Sequence, residues 1–413
     1  MKKGRKLFIP IITHINEGKG HVYGYQKDVY KSLDKNLYEY LPIVFFDKKI
    51  GFLDNIKNKI VLKNYFIDLN IDKIFHFNLL IIIFKTIKDT LKLSKQLSKL
   101  NLPKERKLIF FLESFNNIQF YIFLKFYRKL KIEKKRIIIL LRGSPFSGSG
   151  LMRLYYFSFY LVLKYNQIFL KNYILATDSE TLKVHLEKIY NKEVSLINIP
   201  TNMVKNNNKI KKKNIISLPG AAREQKGINS FINTIIFFKN DYSYLISGEL
   251  KKRLKKYKTV NYFNNNLSKS DYTNIFKLSK IVLLDYDEKI YKYATSGIFF
   301  DCISNNCIML VSDNTWMSSI LKKYGLNQLI IKNQFDIINF INGYFQFDFF
   351  KKEIDSKFNN FRNKVLNDYS FKVLNVEMHV NSKSLIRFFS AKNFFELPLA
   401  LIKISHFLLR YLL

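Results

Sequence analysis

Short apolar runs alternate with segments of helical periodicity along most of the chain. The runs are rich in Ile, Leu and Phe and end at polar or glycine residues, which is typical of strands buried on both faces of a parallel sheet. Between them, apolar residues recur every three or four positions among Lys and Asn, as in amphipathic helices. In the first half the pattern predicts strands at residues 6–12, 43–46, 72–77, 107–112, 136–141, 173–176 and 194–199, and helices at 22–33 and 79–100.

The same rhythm restarts after residue 213. It predicts strands at 215–218, 244–246, 259–263, around 282, around 311 and at 329–331, and helices at 228–238, 268–278 and 334–344. Strands that alternate with helices form a parallel sheet between helical layers. The sequence therefore predicts an α/β protein with two Rossmann-like doubly wound domains that face a cleft.

A polar stretch and an apolar tail divide the chain. Residues 205–213, KNNNKIKKK, have no apolar period, so we interpret them as a linker, with a nucleic-acid contact as the alternative. The predicted domains are 1–204, 205–375 and a helical segment at 376–413. Within that segment, residues 397–413 place Lys403, His406 and Arg410 on one narrow stripe of a helix that is otherwise apolar. This pattern favours a helix at a membrane surface, the alternative being a helix packed on the protein.

The net charge is +37, which favours polyanionic partners such as nucleotide phosphates, an anionic membrane or nucleic acid. The basic residues are mostly Lys and are spread along the chain, so general compositional bias explains the bulk of the charge equally well. No compact nucleic-acid motif is present, and we predict no nucleic-acid partner. The two cysteines, Cys302 and Cys307, lack zinc-site spacing and indicate free thiols in a reducing cytoplasm. The expected location is therefore the cytoplasm, with peripheral association at the inner face of the plasma membrane as the alternative.

Candidate chemistry in the second half centres on residues 282–313. An apolar strand leads through an acidic and aromatic loop to a short helix that begins at Ser296 and Gly297. A helix N-terminus presents unpaired N–H groups and a partial positive charge, which together favour a phosphate. Asp301 places a carboxylate one turn further on. This arrangement predicts a nucleotide site at the ends of the strands.

In the first half, polar residues follow three predicted strands. A glycine loop with Gly18, Gly20 and His21 follows the first strand and fits a ligand cradle, or merely a tight turn. Glu113 and Arg142 end two later strands, where substrate-binding residues lie in this architecture. For Arg142 the alternative is a structural ion pair with a residue such as Glu113.

Residues 214–315 resemble the nucleotide-sugar domain of GT-B glycosyltransferases, in particular the retaining group 1, or family 4, enzymes. The resemblance lies in Leu218-Pro219-Gly220 with Lys226-Gly227, in Ser247-Gly248, and in Ser296-Gly297 followed by Asp301. It implies that Asp301 holds the ribose hydroxyls and that the loops meet the diphosphate. The donor-binding residues that it implies are Gly220, Gly227, Gly248, Ser296, Gly297, Ile298 and Asp301, and the catalytic ones are Arg223, Lys226 and Tyr293.

Two positions depart from the pattern of that family. Ala221 stands where the family has Arg, and Arg223 is the candidate substitute. Tyr293 stands where the family has its first Glu, and Asp285, Asp287 and Glu288 are the nearby acids that could serve instead. Asp285-x-Asp287 also imitates a metal-binding D-x-D motif, but its place in a domain of this kind argues against a metal.

The resemblance implies a metal-independent glycosyltransferase, of hexosyltransferase type, that uses a nucleotide-diphosphate sugar and no separate cofactor. The expected acceptor is a glycan or a lipid-linked glycan bound by the N-terminal domain. The expected role is in cell-surface polysaccharide synthesis. The alternative is a catalytically degenerate scaffold of the same fold that binds a polyanion or a partner protein.

Overall fold

A computed structural model describes residues 5–12, 22–44, 51–56, 58–62, 92–114, 117–143, 160–161, 163, 173–197, 212–220, 222–264, 267 and 269–369. The chain divides into one compact unit, Met1–Val373, and a second, Leu374–Leu413, which lies outside the described residues. The predicted strand at 72–77, the glycine loop with Gly18, Gly20 and His21, and the apolar tail also lie outside them.

The first sheet has eight parallel strands among the described residues. They are β1 (Lys6–Ile12), β2 (Tyr38–Tyr40), β3 (Ile43–Val44), β4 (Ile60–Val61), β5 (Leu108–Ser114), β6 (Lys135–Leu140), β7 (Tyr173–Thr177) and β8 (Val194–Leu196). The order across the sheet is β4-β3-β1-β5-β6-β7-β8, with β2 also paired to β1. The helices described beside it are α1 (Val22–Ser32), α2 (Gly51–Asp54), α3 (Asn117–Lys129) and α4 (Glu180–Tyr190).

The second sheet has six parallel strands in the order β11-β10-β9-β12-β13-β14. They are β9 (Ile215–Leu218), β10 (Ser243–Ser247), β11 (Val260–Phe263), β12 (Ile281–Leu284), β13 (Ile308–Ser312) and β14 (Ile330–Ile331). The order reverses between β9 and β12, because the chain first builds outward through β10 and β11 and then returns to the other side of β9. In doubly wound sheets such a switch point opens a crevice at the carboxyl ends of the strands, where ligands bind.

Eight α-helices are described in the second half. They are α5 (Ile228–Phe238), α6 (Lys251–Leu254), α7 (Lys269–Leu278), α8 (Glu288–Tyr291), α9 (Gly297–Ser304), α10 (Trp316–Lys323), α11 (Gln334–Gln346) and α12 (Asp348–Asp368). Helix α5 shows why they form: Phe231, Ile235 and Phe238 recur at helical spacing and are all buried against the sheet. Burial of each such side chain contributes about 1.5–3 kcal/mol.

The predicted fold class is confirmed: both halves are parallel α/β sheets. The strand pattern was most accurate where a run of apolar residues is buried on both faces, as in β5, β6 and β9. The two short strands β2 and β4 were missed. Helix α12 was also missed: it is 21 residues long and mostly polar, with only a narrow buried stripe that includes Ile354, Phe358 and Val365.

Candidate functional site

The loops after β9 and β12 meet at the switch point of the second sheet. The loop after β9 ends in a 3₁₀ turn, Glu224–Lys226, and continues through Gly227 into α5. Gly227 has φ +76°, and a Cβ at this position would lie 2.5 Å from the backbone oxygen of Asp285. The Asp287 N–H also donates to the Gln225 oxygen at 3.0 Å. Gly227 allows the two loops to touch, and its role in donor binding stays a prediction.

Lys226 and the start of helix α9 lie on the same side of this junction. A Cβ placed on Gly220, whose φ is +93°, would lie 3.4 Å from Ile298 Cδ1 and 3.7 Å from Lys226 Nζ. Gly220, Lys226 and Ile298, which are separated widely in sequence, therefore surround one point. Burial, together with the nearby charge of Arg223, lowers the pKa of the Lys226 ammonium. A bound anion would stabilise this desolvated charge.

The N-terminus of helix α9 is capped as the sequence predicts. The Ser296 hydroxyl accepts a hydrogen bond from the Phe299 N–H at 3.3 Å. Gly297 is exposed, and a Cβ built on it would have no atom within 4 Å. The first N–H groups of a helix have no intrahelical partner, so this open position can bring an anion onto the backbone. Ser296, Gly297 and Ile298 thus begin α9 beside Gly220, the residue that Lys226 also approaches.

Asp301 lies on α9, just over one turn from this N-terminus. Its Oδ2 accepts a hydrogen bond of 2.8 Å from the Tyr272 hydroxyl on α7. Sequence reasoning missed Tyr272, because nothing in the pattern of α7 distinguishes it from a core tyrosine. Gly248 follows β10, where a Cβ would lie 3.2 Å from the Phe263 oxygen. Its neighbour Glu249 accepts from the Ala222 N–H at 3.2 Å, which links the loops after β9 and β10.

Two of the three acids that precede Tyr293 in sequence, Asp285 and Asp287, have structural partners. Asp285 accepts hydrogen bonds from Ser230 and, at 2.9 Å, from Ser312, so it connects α5 to the ends of β12 and β13. Asp287 caps α8 by accepting from the Lys289 N–H at 2.8 Å. Within the described ranges, no group of three or more His, Cys, Asp or Glu side chains is placed to hold a metal ion.

At the carboxyl edge of the first sheet, Arg142 lies between two buried carboxylates. Its Nη1 is 2.8 Å from Glu113 Oε1, and its Nε is 3.2 Å from Asp178 Oδ2. The guanidinium also lies 4.3 Å from the ring centre of Tyr25. Gln26 completes the cluster by donating to Glu113 Oε2 at 2.8 Å. The ion pair that the sequence left as an alternative for Arg142 is therefore present.

The charges of this cluster depend on one another. Burial opposes the charge of Arg142, but Glu113 and Asp178 outweigh it and raise the pKa of the guanidinium. Burial raises the pKa of the Asp178 carboxyl, against the opposing effect of Arg142. About 30% of the Arg142 side chain is exposed, whereas the Glu113 side chain is fully buried. Arg142 is thus held by two carboxylates while part of its side chain remains exposed.

The two halves touch through the first turns of α4 and the loop before α9. Thr295 donates to Asp178 Oδ2 at 3.1 Å, so the residue before Ser296 is bound to the Arg142 cluster. Tyr293 stacks on His185 with ring centres 4.6 Å apart. The predicted catalytic Tyr293 is therefore packed against the N-terminal half, and nothing described brings it to Lys226.

Glu180, at the start of α4, makes a second contact between the halves. One of its carboxylate oxygens accepts from the Trp316 indole N–H at 3.0 Å, and the other accepts from the Tyr369 hydroxyl. Both carboxylate oxygens of Glu180 therefore accept hydrogen bonds from residues of the second half. These contacts fix how the two sheets face each other.

Two parallel doubly wound domains that face each other across such a crevice define the GT-B fold, which the sequence predicted. No protein-family model matches the chain, and no curated protein matches it. Solved structures with a similar fold do match the chain. A glycosyltransferase from Rickettsia africae ESF-5 is 16% identical with a TM-score of 0.58, over 90% of this chain and 95% of that one.

Two further structures show the same similarity. Anabaena HepE in complex with UDP and glucose is 9% identical with a TM-score of 0.58, over 89% of this chain and 96% of that one. The α,α-trehalose-phosphate synthase (UDP-forming) of Burkholderia vietnamiensis is 10% identical with a TM-score of 0.56, over 89% and 98%. At these identities the similarity establishes the fold, and the activity has to be argued from the site. Among the described helices, none is long and apolar enough to cross a membrane.

Proposed function

We propose that this protein is a glycosyltransferase that moves a sugar from a nucleotide-diphosphate sugar to a hydroxyl group of a glycan or lipid-linked glycan. The observation that carries the proposal is the convergence of Lys226 and the N-terminus of α9 on Gly220. It lies at the switch point of a doubly wound sheet, where this fold class binds nucleotides. The structural neighbours include a glycosyltransferase from Rickettsia africae, and Anabaena HepE was solved in complex with UDP and glucose.

Sugar transfer from such a donor requires that the leaving nucleoside diphosphate be stabilised. When the bond between the anomeric carbon and the diphosphate oxygen breaks, negative charge accumulates on the nucleoside diphosphate. Lys226, Arg223 and the N–H groups at the start of α9 would balance that charge. On the opposite side of the crevice, Arg142, held by Glu113 and Asp178, would orient a sugar hydroxyl. Gly18, Gly20 and His21, which follow β1 in the same sheet, remain proposed acceptor residues.

A degenerate scaffold is the second candidate, and Tyr293 is the observation that favours it. The position of the family's first acid holds Tyr293, which has no carboxylate and stacks on His185. The nearby Asp285 already has structural partners in Ser230 and Ser312. Such a scaffold would keep the fold and bind a polyanion or a partner protein without transferring sugar. Turnover of a nucleotide sugar by the purified protein would eliminate this candidate.

Binding of a nucleoside diphosphate is the most direct test of the donor site. We expect at least one of UDP, GDP, ADP and CDP to raise the melting temperature, because a ligand that binds only the native state stabilises it by about 2.7 kcal/mol at 100 times its Kd. Differential scanning fluorimetry with the four diphosphates measures the shift, with the four nucleoside monophosphates as matched controls. If no diphosphate shifts the melting temperature, the donor site proposed here does not exist.

The C-terminal segment, residues 397–413, would bring the enzyme to a membrane-bound acceptor at the cytoplasmic surface. We expect the full chain to float with liposomes that contain anionic lipid, and a variant that ends before Leu397 to float much less, because it lacks the basic stripe and apolar faces that the sequence predicts for this segment. Flotation with neutral liposomes is the control for the charge contribution. Equal flotation of the two chains would contradict a membrane role for the segment.

A further inference from the structure

The hydrogen bond between Tyr272 and Asp301 joins two helices beside the proposed donor site. It measures 2.8 Å from the Tyr272 hydroxyl to Asp301 Oδ2. Burial, and then the negative charge of Asp301, raise the pKa of the Tyr272 hydroxyl well above its usual value. The phenol therefore keeps its proton at neutral pH and remains a hydrogen-bond donor. The Tyr272 ring packs edge-on against Phe276, with ring centres 5.1 Å apart, and this contact restricts the position of the hydroxyl.

Such a bond controls the orientation of a carboxylate. The terminal torsion of an Asp side chain is broad, and rotation about it changes where the two oxygens point. A hydrogen bond to a charged acceptor is about twice as strong as one between neutral groups, so Tyr272 favours one rotation of the Asp301 carboxylate strongly. A carboxylate held in this way can accept hydrogen bonds from hydroxyl groups without first losing rotational freedom.

The position of Asp301 along α9 suits the sugar part of a nucleotide. It follows Ser296 by five residues, which at the rise of an α-helix is about 7 Å along the axis. A diphosphate at the N-terminus of α9 would leave the ribose of the same nucleotide further along the helix. The two neighbouring hydroxyls of a ribose are donors that match a carboxylate, and a deoxyribose offers one fewer.

We propose that Tyr272 is a positioning residue that fixes Asp301 for the ribose hydroxyls and thereby makes the site prefer ribonucleotides to deoxyribonucleotides. This inference rests on the proposed function, because it requires a nucleotide at α9. Tyr272 itself acts through Asp301 and does not need to touch the nucleotide.

The test uses the full chain and the Tyr272→Phe variant, which keeps the ring and removes only the hydroxyl. Calorimetry gives Kd for UDP, GDP, ADP and CDP, for their 2′-deoxy and 3′-deoxy forms, and for inorganic diphosphate. We expect the wild type to prefer the ribonucleotide of its best base about tenfold, as one lost hydrogen bond to a charged group implies. Tyr272→Phe should lower this ratio at least threefold and leave the Kd for inorganic diphosphate unchanged.

Two further variants keep the result interpretable. Tyr344→Phe removes a tyrosine hydroxyl that donates to Asp355, away from α9, and should leave the ratio unchanged. Asp301→Asn should lower the ratio as Tyr272→Phe does, with no further loss in the double variant, and it serves alone if Tyr272→Phe does not fold.

The outcomes separate this inference from the proposed function. An unchanged ratio in Tyr272→Phe overturns the positioning role while the donor site stands. Equal weakening of inorganic diphosphate and ribonucleotide overturns it too, because Tyr272 would then only support the local structure. An unchanged ratio in Asp301→Asn does the same. If the wild type binds none of the diphosphates, both the proposed function and this inference fail.

Discussion

Replacing Lys226 by alanine is expected to lower kcat for sugar transfer by about 100- to 1,000-fold. The ammonium lies beside Gly220 and Ile298, where the leaving diphosphate is expected to develop its charge. Removal of one donor that stabilises a developing negative charge typically costs about 2.7–4 kcal/mol of transition-state stabilisation. The measurement is release of the nucleoside diphosphate from the nucleotide sugar under saturating donor, with the melting temperature recorded for each variant.

Two variants bracket this result. Lys226→Arg keeps a positive charge at the same place and should retain more activity than the alanine variant. Lys352→Ala removes an exposed lysine from α12 and should behave as the wild type. Turnover of Lys226→Ala equal to that of Lys352→Ala would show that the diphosphate leaves without help from Lys226.

Replacing Gly227 by alanine is expected to destabilise the protein by about 3–5 kcal/mol, among the largest effects of a single substitution. The φ of +76° already disfavours a side chain, and the new Cβ would lie 2.5 Å from the Asp285 oxygen and 2.8 Å from its Cβ. The loops after β9 and β12 would have to separate to relieve the overlap. Urea unfolding followed by circular dichroism measures the change in the free energy of unfolding.

Gly325 provides a matched control for the overlap. Its φ is +75°, almost the same, but a Cβ built on it would have no atom within 4 Å. Gly325→Ala should therefore cost only the backbone strain of about 1–2 kcal/mol. If the two alanine variants unfold at the same urea concentration, the close approach of Gly227 to Asp285 contributes nothing to stability.

The second domain could be predicted well because two signals there agree. Buried parallel strands give continuous apolar runs, and the loops between them carry glycines at positions that the backbone requires, with positive φ at Gly220 and Gly227. The serine cap of α9 could also be predicted, because Ser296 directly precedes the helix in sequence. These features depend only on residues that are close in sequence, so the sequence pattern was sufficient to predict them.

The contacts between the halves could not be predicted in this way. Thr295 and Asp178 are 117 positions apart, and Glu180 and Tyr369 are 189 apart. Neither pair belongs to a common motif, and each polar residue has an ordinary local explanation. The same limit applies to Tyr293: its spacing from Asp301 fits the family pattern and predicts a catalytic role, but the pattern could not show its stacking on His185 of the other half.

Trp316 is the only tryptophan of the chain, and its indole is fully buried. It touches Phe299 and Phe300 of α9 with ring centres 5.5 and 5.7 Å away, and its N–H reaches Glu180. Tryptophan fluorescence of the unlabelled protein, excited at wavelengths that tyrosine does not absorb, therefore comes from one place, where α9 meets the opposite half. A rapid-mixing instrument could follow any change at this contact when a nucleotide binds, without the attachment of any dye.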